Sequence, residues 1–253
     1  METCNIKSLQ LNYFYCENIE MLFYLFFSFF LQKLNYIIKN FFITQSKMVK
    51  YYLTQIIDGK IPSNCTEFDC YNNKLKKLPQ LPQTLRILDC SVNRLNELPE
   101  LPQTLKILYC DNNNLNSLPE LPQTLIELYC GGNNLIELPE LPDTLQTLQC
   151  CYNKLNKLPE LPQILTYLDC SKNNLNELPE LSQTLHILSC SYNNLSNLPE
   201  LPQTLQKLYC STNNIKYLLP NNWKIIKKLG EFDLLNNPFS VNFNSSQEFI
   251  SSL

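Results

Sequence analysis

The chain has 253 residues and a formal net charge of −3, from 20 basic and 23 acidic residues. This near-neutral balance gives no electrostatic argument for nucleic-acid binding, which needs a clustered excess of Lys and Arg. With only 4 glycines, the chain also lacks the material for a glycine-rich phosphate-binding loop.

Residues 1–47 form an apolar N-terminal extension that admits four interpretations. Its most apolar stretch, residues 21–31, is eleven residues long, whereas a membrane-spanning helix needs about 20. Translation could begin at Met48 instead of Met1, or the stretch could be a membrane or interface anchor, an additional packed helix or a signal peptide. Acidic flanks and the lack of a small-residue cleavage site count against the signal peptide.

Residues 48–64 are predicted to form an N-terminal cap helix. The apolar residues of this segment follow the spacing i, i+3, i+4, i+7 and i+8 of an amphipathic helix. They are Val49, Tyr52, Leu53, Ile56 and Ile57. Gly59 favours a helix end. We expect this helix to cover the first unit of the repeat array that follows.

A twenty-residue unit repeats eight times along residues 65–219. Two successive copies read LPQTLRILDCSVNRLNELPE and LPQTLKILYCDNNNLNSLPE, and no gap is needed to align them. We number the positions of the unit from Leu81, which is position 1. Self-similarity at a fixed period predicts a solenoid, in which each unit buries its apolar side against its neighbours.

The pattern within the unit predicts one short strand and an extended return. Positions 8 and 10 hold Leu, Phe or Cys and alternate with variable residues at positions 7, 9 and 11. A period of two indicates a strand, and stacking the units makes these strands parallel and in register. Pro at positions 19 and 2 excludes a regular helix on the return path and favours a polyproline-like segment.

Eight of the 12 cysteines occupy position 10, one per unit. They are Cys70, Cys90, Cys110, Cys130, Cys150, Cys170, Cys190 and Cys210. Because free Cys packs as a small hydrophobe, we expect a column of reduced, buried thiols and a cytoplasmic protein. The alternative is a disulfide or metal ladder, although metal ligands converge on a point and do not form a row.

Position 13 is Asn in every unit. The residues are Asn73, Asn93, Asn113, Asn133, Asn153, Asn173, Asn193 and Asn213. A buried amide must be hydrogen-bonded, so we expect this column to bind backbone groups of its own unit and of the adjacent one.

The unit pattern LxxLxCxxNxL resembles the leucine-rich repeat, LxxLxLxxNxL, with Cys in place of the third Leu. The resemblance implies a leucine-rich repeat solenoid with a parallel β-sheet on one face, extended segments on the other and short helical caps. Short LPxLP units resemble the repeats of bacterial effectors and of giant DNA viruses that infect amoebae. The Cys column favours the viral group, and so does the heavy use of Asn, Ile, Lys, Phe, Tyr and Leu, which is expected from an AT-rich genome.

The resemblance to bacterial effectors also raises an enzymatic alternative. Some effectors carry a ubiquitin-ligase domain after their repeats, but about 34 residues follow the array here, which is too few for such a domain. The sole histidine, His186, has no fixed Asp or Cys positioned as a triad. We therefore expect no enzyme, and no catalytic, cofactor or metal site.

Positions 7 and 9 are predicted to point away from the core onto an exposed sheet face. Tyr and Ile mixed with Asp suit a protein-binding surface, since aromatic residues dominate binding hot spots. The predicted site residues are Ile87, Asp89, Ile107, Tyr109, Glu127, Tyr129, Tyr167, Asp169, Ile187 and Tyr209. The alternative is that aromatic and β-branched residues simply favour strands.

Position 20 carries a second regular column. Its residues are Glu100, Glu120, Glu140, Glu160, Glu180 and Glu200. We expect a solvated edge that discourages aggregation; a docking site for a basic partner is the alternative.

Residues 220–253 are predicted to hold a divergent ninth repeat and a C-terminal cap. The ninth repeat is carried by Leu229, Phe232, Leu234, Asn237 and Phe239. Asn222 could cap a short helix, and the only Trp, Trp223, is expected in its core. Phe243, Phe249 and Ile250 could complete the cover.

Taken together, these patterns predict a monomeric protein-interaction module with a protein partner and no nucleic-acid partner. Membrane contact is expected only through residues 21–31, and a viral chain would lie in the host cytoplasm. The alternative is a structural or redundant repeat protein with no dedicated partner.

Overall fold

Strands of three residues recur along the chain at a fixed interval. The computed structural model describes residues 50–52 and 60–240. The strands are β1 Lys50–Tyr52, β2 Glu67–Asp69, β3 Ile87–Asp89, β4 Ile107–Tyr109, β5 Glu127–Tyr129, β6 Thr147–Gln149, β7 Tyr167–Asp169, β8 Ile187–Ser189, β9 Lys207–Tyr209 and β10 Glu231–Asp233.

The ten strands form one parallel sheet in chain order, β1 to β10. Paired residues of β2 to β9 are 20 residues apart, as Leu88 with Leu108 and Leu108 with Leu128. The predicted solenoid with an in-register parallel sheet is confirmed, because each unit adds one strand beside that of the unit before it.

Leucine and cysteine from every unit form one continuous core behind the sheet. In the third unit, Leu105, Leu108, Cys110 and Leu115 are fully buried, and their equivalents in the other units join the same cluster. Full burial of a Leu side chain contributes about 1.5–3 kcal/mol. Stacking of the units therefore supplies the main stabilising term of the array.

Each unit turns away from the sheet through one residue at position 12 in the left-handed backbone conformation. The φ angles at this position lie between 52° and 63° for Asn72, Val92, Asn112, Gly132, Tyr152, Lys172, Tyr192 and Thr212. The return path contains no helix within any of the eight units, as the two prolines predict.

The asparagine column at position 13 joins neighbouring units. The side-chain amide of Asn133 donates to the carbonyl oxygens of Cys110 and Cys130, both at 3.1 Å. Its Oδ1 accepts the backbone N–H of Leu115 at 3.0 Å. The same bonds recur along the array, so the predicted ladder is confirmed; Asn73 differs because it is exposed and its amide bonds only within its own unit.

A second ladder, which the sequence analysis did not predict, runs through threonine at position 4. The hydroxyl of Thr124 donates to the carbonyl oxygens of Gln103 and Leu105, both at 2.8 Å. One unit carries Ile164 at this position, and its side chain is exposed.

At the N-terminal end, the helix predicted over residues 48–64 is wrong for residues 50–52 and 60–64. Residues 50–52 are strand β1, which pairs in parallel with β2, and residues 60–64 hold a bridge and a turn. The edge of a sheet offers unpaired backbone N–H and C=O groups, and an added strand satisfies them where a helix could not. The predictions for residues 1–49 and 53–59 lie outside the described residues.

The array is followed by helix α1, Pro220–Ile226, whose N-cap is Leu219 without a side-chain cap bond. The prediction that Asn222 caps this helix is wrong, because Pro220 already occupies the first helical turn and Asn222 lies inside the helix, fully buried. Among the described helices, none has the length and apolar character that crossing a membrane requires.

The segment predicted to hold a divergent ninth repeat continues the pairing of the array. Its strand β10 pairs with β9, and Asn237 repeats the ladder by donating to the carbonyls of Cys210 and Leu234, both at 3.0 Å. Trp223 packs edge-on against Phe239 with ring centroids 6.0 Å apart, within the cap as expected. A short 3-10 helix, Pro238–Ser240, follows β10, and the predictions beyond residue 240 lie outside the described residues.

Candidate protein-binding surface

Positions 7 and 9 form the outer face of the sheet, because side chains alternate along a strand and position 8 lies in the core. Leu108 and Leu128 at position 8 are fully buried, whereas Tyr109 and Tyr129 at position 9 are half-buried. The predicted site residues that the strands place on this face are Ile87, Asp89, Ile107, Tyr109, Glu127, Tyr129, Tyr167, Asp169, Ile187 and Tyr209.

These side chains are less exposed than the sequence analysis expected. Ile87 and Glu127 are only 2% and 5% exposed, and the other eight are half-buried. Neighbouring strands lie about 4.8 Å apart, so side chains in one column cover one another. On the outer face, these side chains therefore pack against one another, and only part of each is accessible to a partner.

The centre of this face is a stacked pair of tyrosines on β4 and β5. The rings of Tyr109 and Tyr129 lie 4.7 Å apart at an interplanar angle of 16°. The Tyr129 hydroxyl donates to Glu127 Oε2 at 3.0 Å. Burial raises the pKa of Tyr129, and the neighbouring Glu127 raises it further, so the hydroxyl stays a neutral donor.

Two aspartates on the face are fixed by the residue two positions later. The Oδ1 atom of Asp89 accepts the backbone N–H of Ser91 at 3.1 Å and also the Ser91 hydroxyl. Asp169 accepts the equivalent bonds from Ser171, at 3.1 and 2.6 Å. Burial raises the pKa of Asp169, while the bonds from Ser171 lower it.

Asp111 is a carboxylate of this region that the sequence analysis missed. It lies at position 11, just after β4, and its Oδ1 accepts the N–H of Gly131 at 3.1 Å. Burial raises the pKa of Asp111 to about 7, the bond from Gly131 lowers it and nearby Asp89 raises it. A charged residue at a position that is otherwise Ser, Gly, Cys or Tyr was the signal available in the sequence.

At the C-terminal end of the face, Glu231 links Tyr209 to Lys207, and the sequence analysis selected neither Glu231 nor Lys207. The Tyr209 hydroxyl donates to Glu231 Oε1, and Glu231 also pairs with Lys207 through Oε2. The hydrogen bond from Lys207 is the main reason that the pKa of Glu231 is lowered, with the bond from Tyr209 second. The three side chains join β9 to β10.

The thiols of position 10 lie behind the face, inside the core. All eight are free and buried, and burial raises the pKa of each well above its ordinary value. The predicted column of buried thiols is confirmed. Cys151, at position 11, is half-buried, and its Sγ accepts from Gln149 Nε2 at 3.7 Å. The described residues contain no group of three or more His, Cys, Asp or Glu arranged to hold a metal ion.

Three residues on the turn after the strands form a separate group that contains two exposed tyrosines. Tyr152 and Tyr192 are 38% and 53% exposed, and Lys172 lies between them, with its Nζ 4.2 Å and 5.1 Å from the two ring centroids. The sequence analysis did not select them, although a variable position between the fixed Cys and the fixed Asn was the available signal.

Comparison with solved structures shows the repeat architecture in bacterial proteins. YopM from Yersinia enterocolitica WA-314 is 38% identical with a TM-score of 0.67, over 71% of this chain and 39% of that one. A Shigella effector LRR domain is 32% identical with a TM-score of 0.55, over 69% of this chain and 82% of the domain. The functional domain of InlJ from Listeria monocytogenes, which includes a cysteine ladder, is 25% identical with a TM-score of 0.55, over 76% of this chain and 48% of that one.

This chain spans less than half the length of the YopM chain that it matches. No protein-family model matches the sequence, and no curated protein sequence matches it. The similarity to the Shigella domain covers most of both chains, and the unit pattern, the parallel sheet and the asparagine ladder agree with it. The chain therefore belongs to the leucine-rich repeat proteins and is similar to their bacterial effector members.

Proposed function

We propose that this chain is a non-enzymatic interaction module that binds a partner protein through the outer face of its sheet. The observation that carries the proposal is the stacked pair Tyr109 and Tyr129, held on adjacent strands by the repeat and flanked by Ile107. The effector repeat domains to which the chain is similar support an interaction role.

The tyrosine pair has the physical properties of a binding anchor. Tyr offers a large contact area with few rotatable bonds, so little conformational entropy is lost when a partner packs against it. Stacking on Tyr129 already restricts the Tyr109 ring, and the bond to Glu127 orients the Tyr129 hydroxyl. A partner would therefore meet a preorganised aromatic surface.

The remaining parts of the proposal follow from the thiols and the composition. We place the protein in the cytoplasm, because a core column of free thiols suits a reducing compartment. We also propose that it is a monomer. Origin in a giant DNA virus stays a prediction that the Cys column and the composition support, and the cytoplasm would then be that of the host.

The test is a double substitution, Tyr109→Ala with Tyr129→Ala, in proximity labelling of expressing cells. We expect a protein that is enriched by the wild type and lost with the double variant. With the purified partner, the variant should bind roughly tenfold or more weakly, as for hot-spot aromatics. Circular dichroism should show an unchanged fold, since the core Leu and Cys columns are untouched.

Tyr217→Ala is the matched control, because Tyr217 is 64% exposed and lies outside the sheet face. It should leave the labelled set unchanged. If no labelled protein depends on Tyr109 and Tyr129, the sheet-face proposal fails and the structural-protein alternative gains.

A further inference from the structure

The two edges of the described solenoid carry opposite charge. We call positions 11–16 the turn edge and positions 17–20 together with 1–4 of the next unit the return edge. Between residues 61 and 220, the bases of the turn edge are Lys74, Lys76, Arg94, Lys154, Lys172 and Lys216, and its one acid is Asp111. The acids of the return edge are Glu97, Glu100, Glu120, Glu137, Glu140, Asp143, Glu160, Glu177, Glu180 and Glu200, and its bases are Lys77 and Lys157.

This charge division is spatial as well as sequential. All strands of the sheet are parallel, so position 11 always follows the carboxyl end of a strand and the turn edge runs along one side of the sheet. The bases of the turn edge are exposed except Lys172, which is half-buried, and the acids of the return edge are all exposed.

One place on the turn edge combines positive charge with exposed aromatic surface. Lys172 Nζ donates to the Tyr152 hydroxyl and lies 4.2 Å from the centroid of that ring, and 5.1 Å from the Tyr192 centroid. Beside them, the exposed Lys154 donates to Asn134 Oδ1 at 2.8 Å. We call Tyr152, Lys154, Lys172 and Tyr192 the tyrosine–lysine cluster.

The turn itself does not require these bulky side chains. Tyr152, Lys172 and Tyr192 have φ angles of 53°, 54° and 57°, a left-handed conformation that costs a non-glycine residue of order 1–3 kcal/mol. The same position elsewhere carries Asn112 or Gly132, which adopt it more readily. Packing therefore gives no reason for two exposed tyrosines around a lysine.

We propose that the tyrosine–lysine cluster is a second docking site, for a protein segment that presents carboxylates beside an apolar side chain. The ammonium groups of Lys154 and Lys172 complement the carboxylates, and the exposed ring surfaces of the two tyrosines cover the apolar side chain. The acidic return edge repels such a segment and so confines it to the turn edge.

A protein segment suits this site better than a nucleic acid. The cluster offers two ammonium groups, whereas duplex DNA carries one charge per about 1.7 Å of its axis and needs many basic contacts. The ten acids of the return edge add repulsion against a polyanion.

The test uses fluorescence anisotropy with a labelled short peptide that places Phe between Asp and Glu residues. Full-length wild type should bind this peptide and not the version with Lys in place of the acids, and binding should weaken as NaCl is raised. Lys172→Gln should weaken binding roughly tenfold, and so should Tyr152→Asn with Tyr192→Asn. Asn occupies position 12 in other units, so the tyrosine variant should fold and melt no lower than wild type.

The matched controls remove the same residue types from the return edge, as Lys157→Gln and Tyr217→Asn. These controls, and the double variant of Tyr109 and Tyr129, should keep wild-type affinity for the peptide. The inference is overturned if wild type does not bind the peptide, or if the controls weaken binding as much as the cluster variants do.

It is equally overturned if the cluster serves another occupant. That result would be tighter, Lys172-dependent binding of single-stranded RNA or of vesicles with phosphatidylserine. A sedimentation-velocity dimer that Lys172→Gln dissociates would likewise replace the acidic segment with a second copy of the chain.

Discussion

At the scale of single residues, the asparagine at position 13 links adjacent units most directly. Asn153 donates to the carbonyls of Cys130, Cys150 and Cys151 at 3.0, 3.1 and 3.2 Å. Its Oδ1 accepts the N–H of Leu135 at 3.0 Å. One buried side chain thus satisfies backbone groups in two units, and every described buried side-chain N or O atom has a partner.

We predict that Asn153→Ala lowers the free energy of unfolding by about 1–3 kcal/mol, because it leaves buried backbone groups unsatisfied. Urea or thermal unfolding followed by circular dichroism measures the change. Asn156→Ala is the control, since Asn156 is exposed in the same unit, and it should change stability little. Equal melting curves for Asn153→Ala and wild type would remove the ladder from the stability argument.

Which residues were predictable from the sequence depended on whether packing fixes them. The Cys and Asn columns were predictable, because a buried position in a stacked array accepts few residue types. The exposure of Tyr152 and Tyr192 was not, since a variable position shows only that core packing does not fix the residue there. The low exposure of Ile87 was also not predicted, because it depends on the side chains at position 7 of the two adjacent strands.

At the scale of elements, the two ends are built differently from the units between them. The N-terminal end adds β1 to the sheet, whereas helix α1 lies between β9 and β10. Asn222 of this helix is fully buried, with Oδ1 accepting the Leu201 N–H and Nδ2 donating to the Pro199 carbonyl, both at 2.9 Å. The helix is therefore fixed to the preceding unit by a side chain that the sequence suggested as its cap.

We predict that Asn222→Ala lowers the melting temperature, because the N–H of Leu201 and the carbonyl of Pro199 lose their partners. The cost should be about 1–3 kcal/mol. Asn221→Ala, one residue earlier in the same helix and exposed, controls for loss of amide side chains at this end. Hydrogen exchange at Leu201 gives a local readout, and unchanged protection there in Asn222→Ala would contradict the assigned role.

At the scale of the whole described array, stability is shared along a line of nearest-neighbour contacts. Each unit contacts the core of the unit before and after it, and no contact links distant units directly in such a stack. The thiols can serve as probes of this stacking, because each unit buries one Cys in the core that it shares with its neighbours.

We predict that the position-10 thiols are protected from alkylation in the native protein and react once it unfolds. Burial excludes the reagent and raises the pKa of each thiol, so raising the pH to 9 should not release the protection. Peptide mass spectrometry after N-ethylmaleimide treatment, with and without urea, measures each site. Cys151, which is half-buried, should react before Cys150.

Cys151→Ser serves as the control, since Ser171 and Ser191 occupy the same position in other units; it should remove the early site and leave the rest protected. Native labelling of Cys130 or Cys150 at the rate seen in urea would show that the column is open to solvent.

The register of the sheet has a consequence for how such a gene can change. Pairing between β2 and β9 advances by 20 residues at every step, whereas Lys50 pairs with Glu67 and Lys207 with Glu231, so irregular spacing is confined to the two ends. Recombination between copies of the coding repeat would therefore insert or delete a whole interior unit. The units on either side could still pair their strands, because every interior unit has the same register. Length can drift between descendants of one ancestor while both termini are inherited intact.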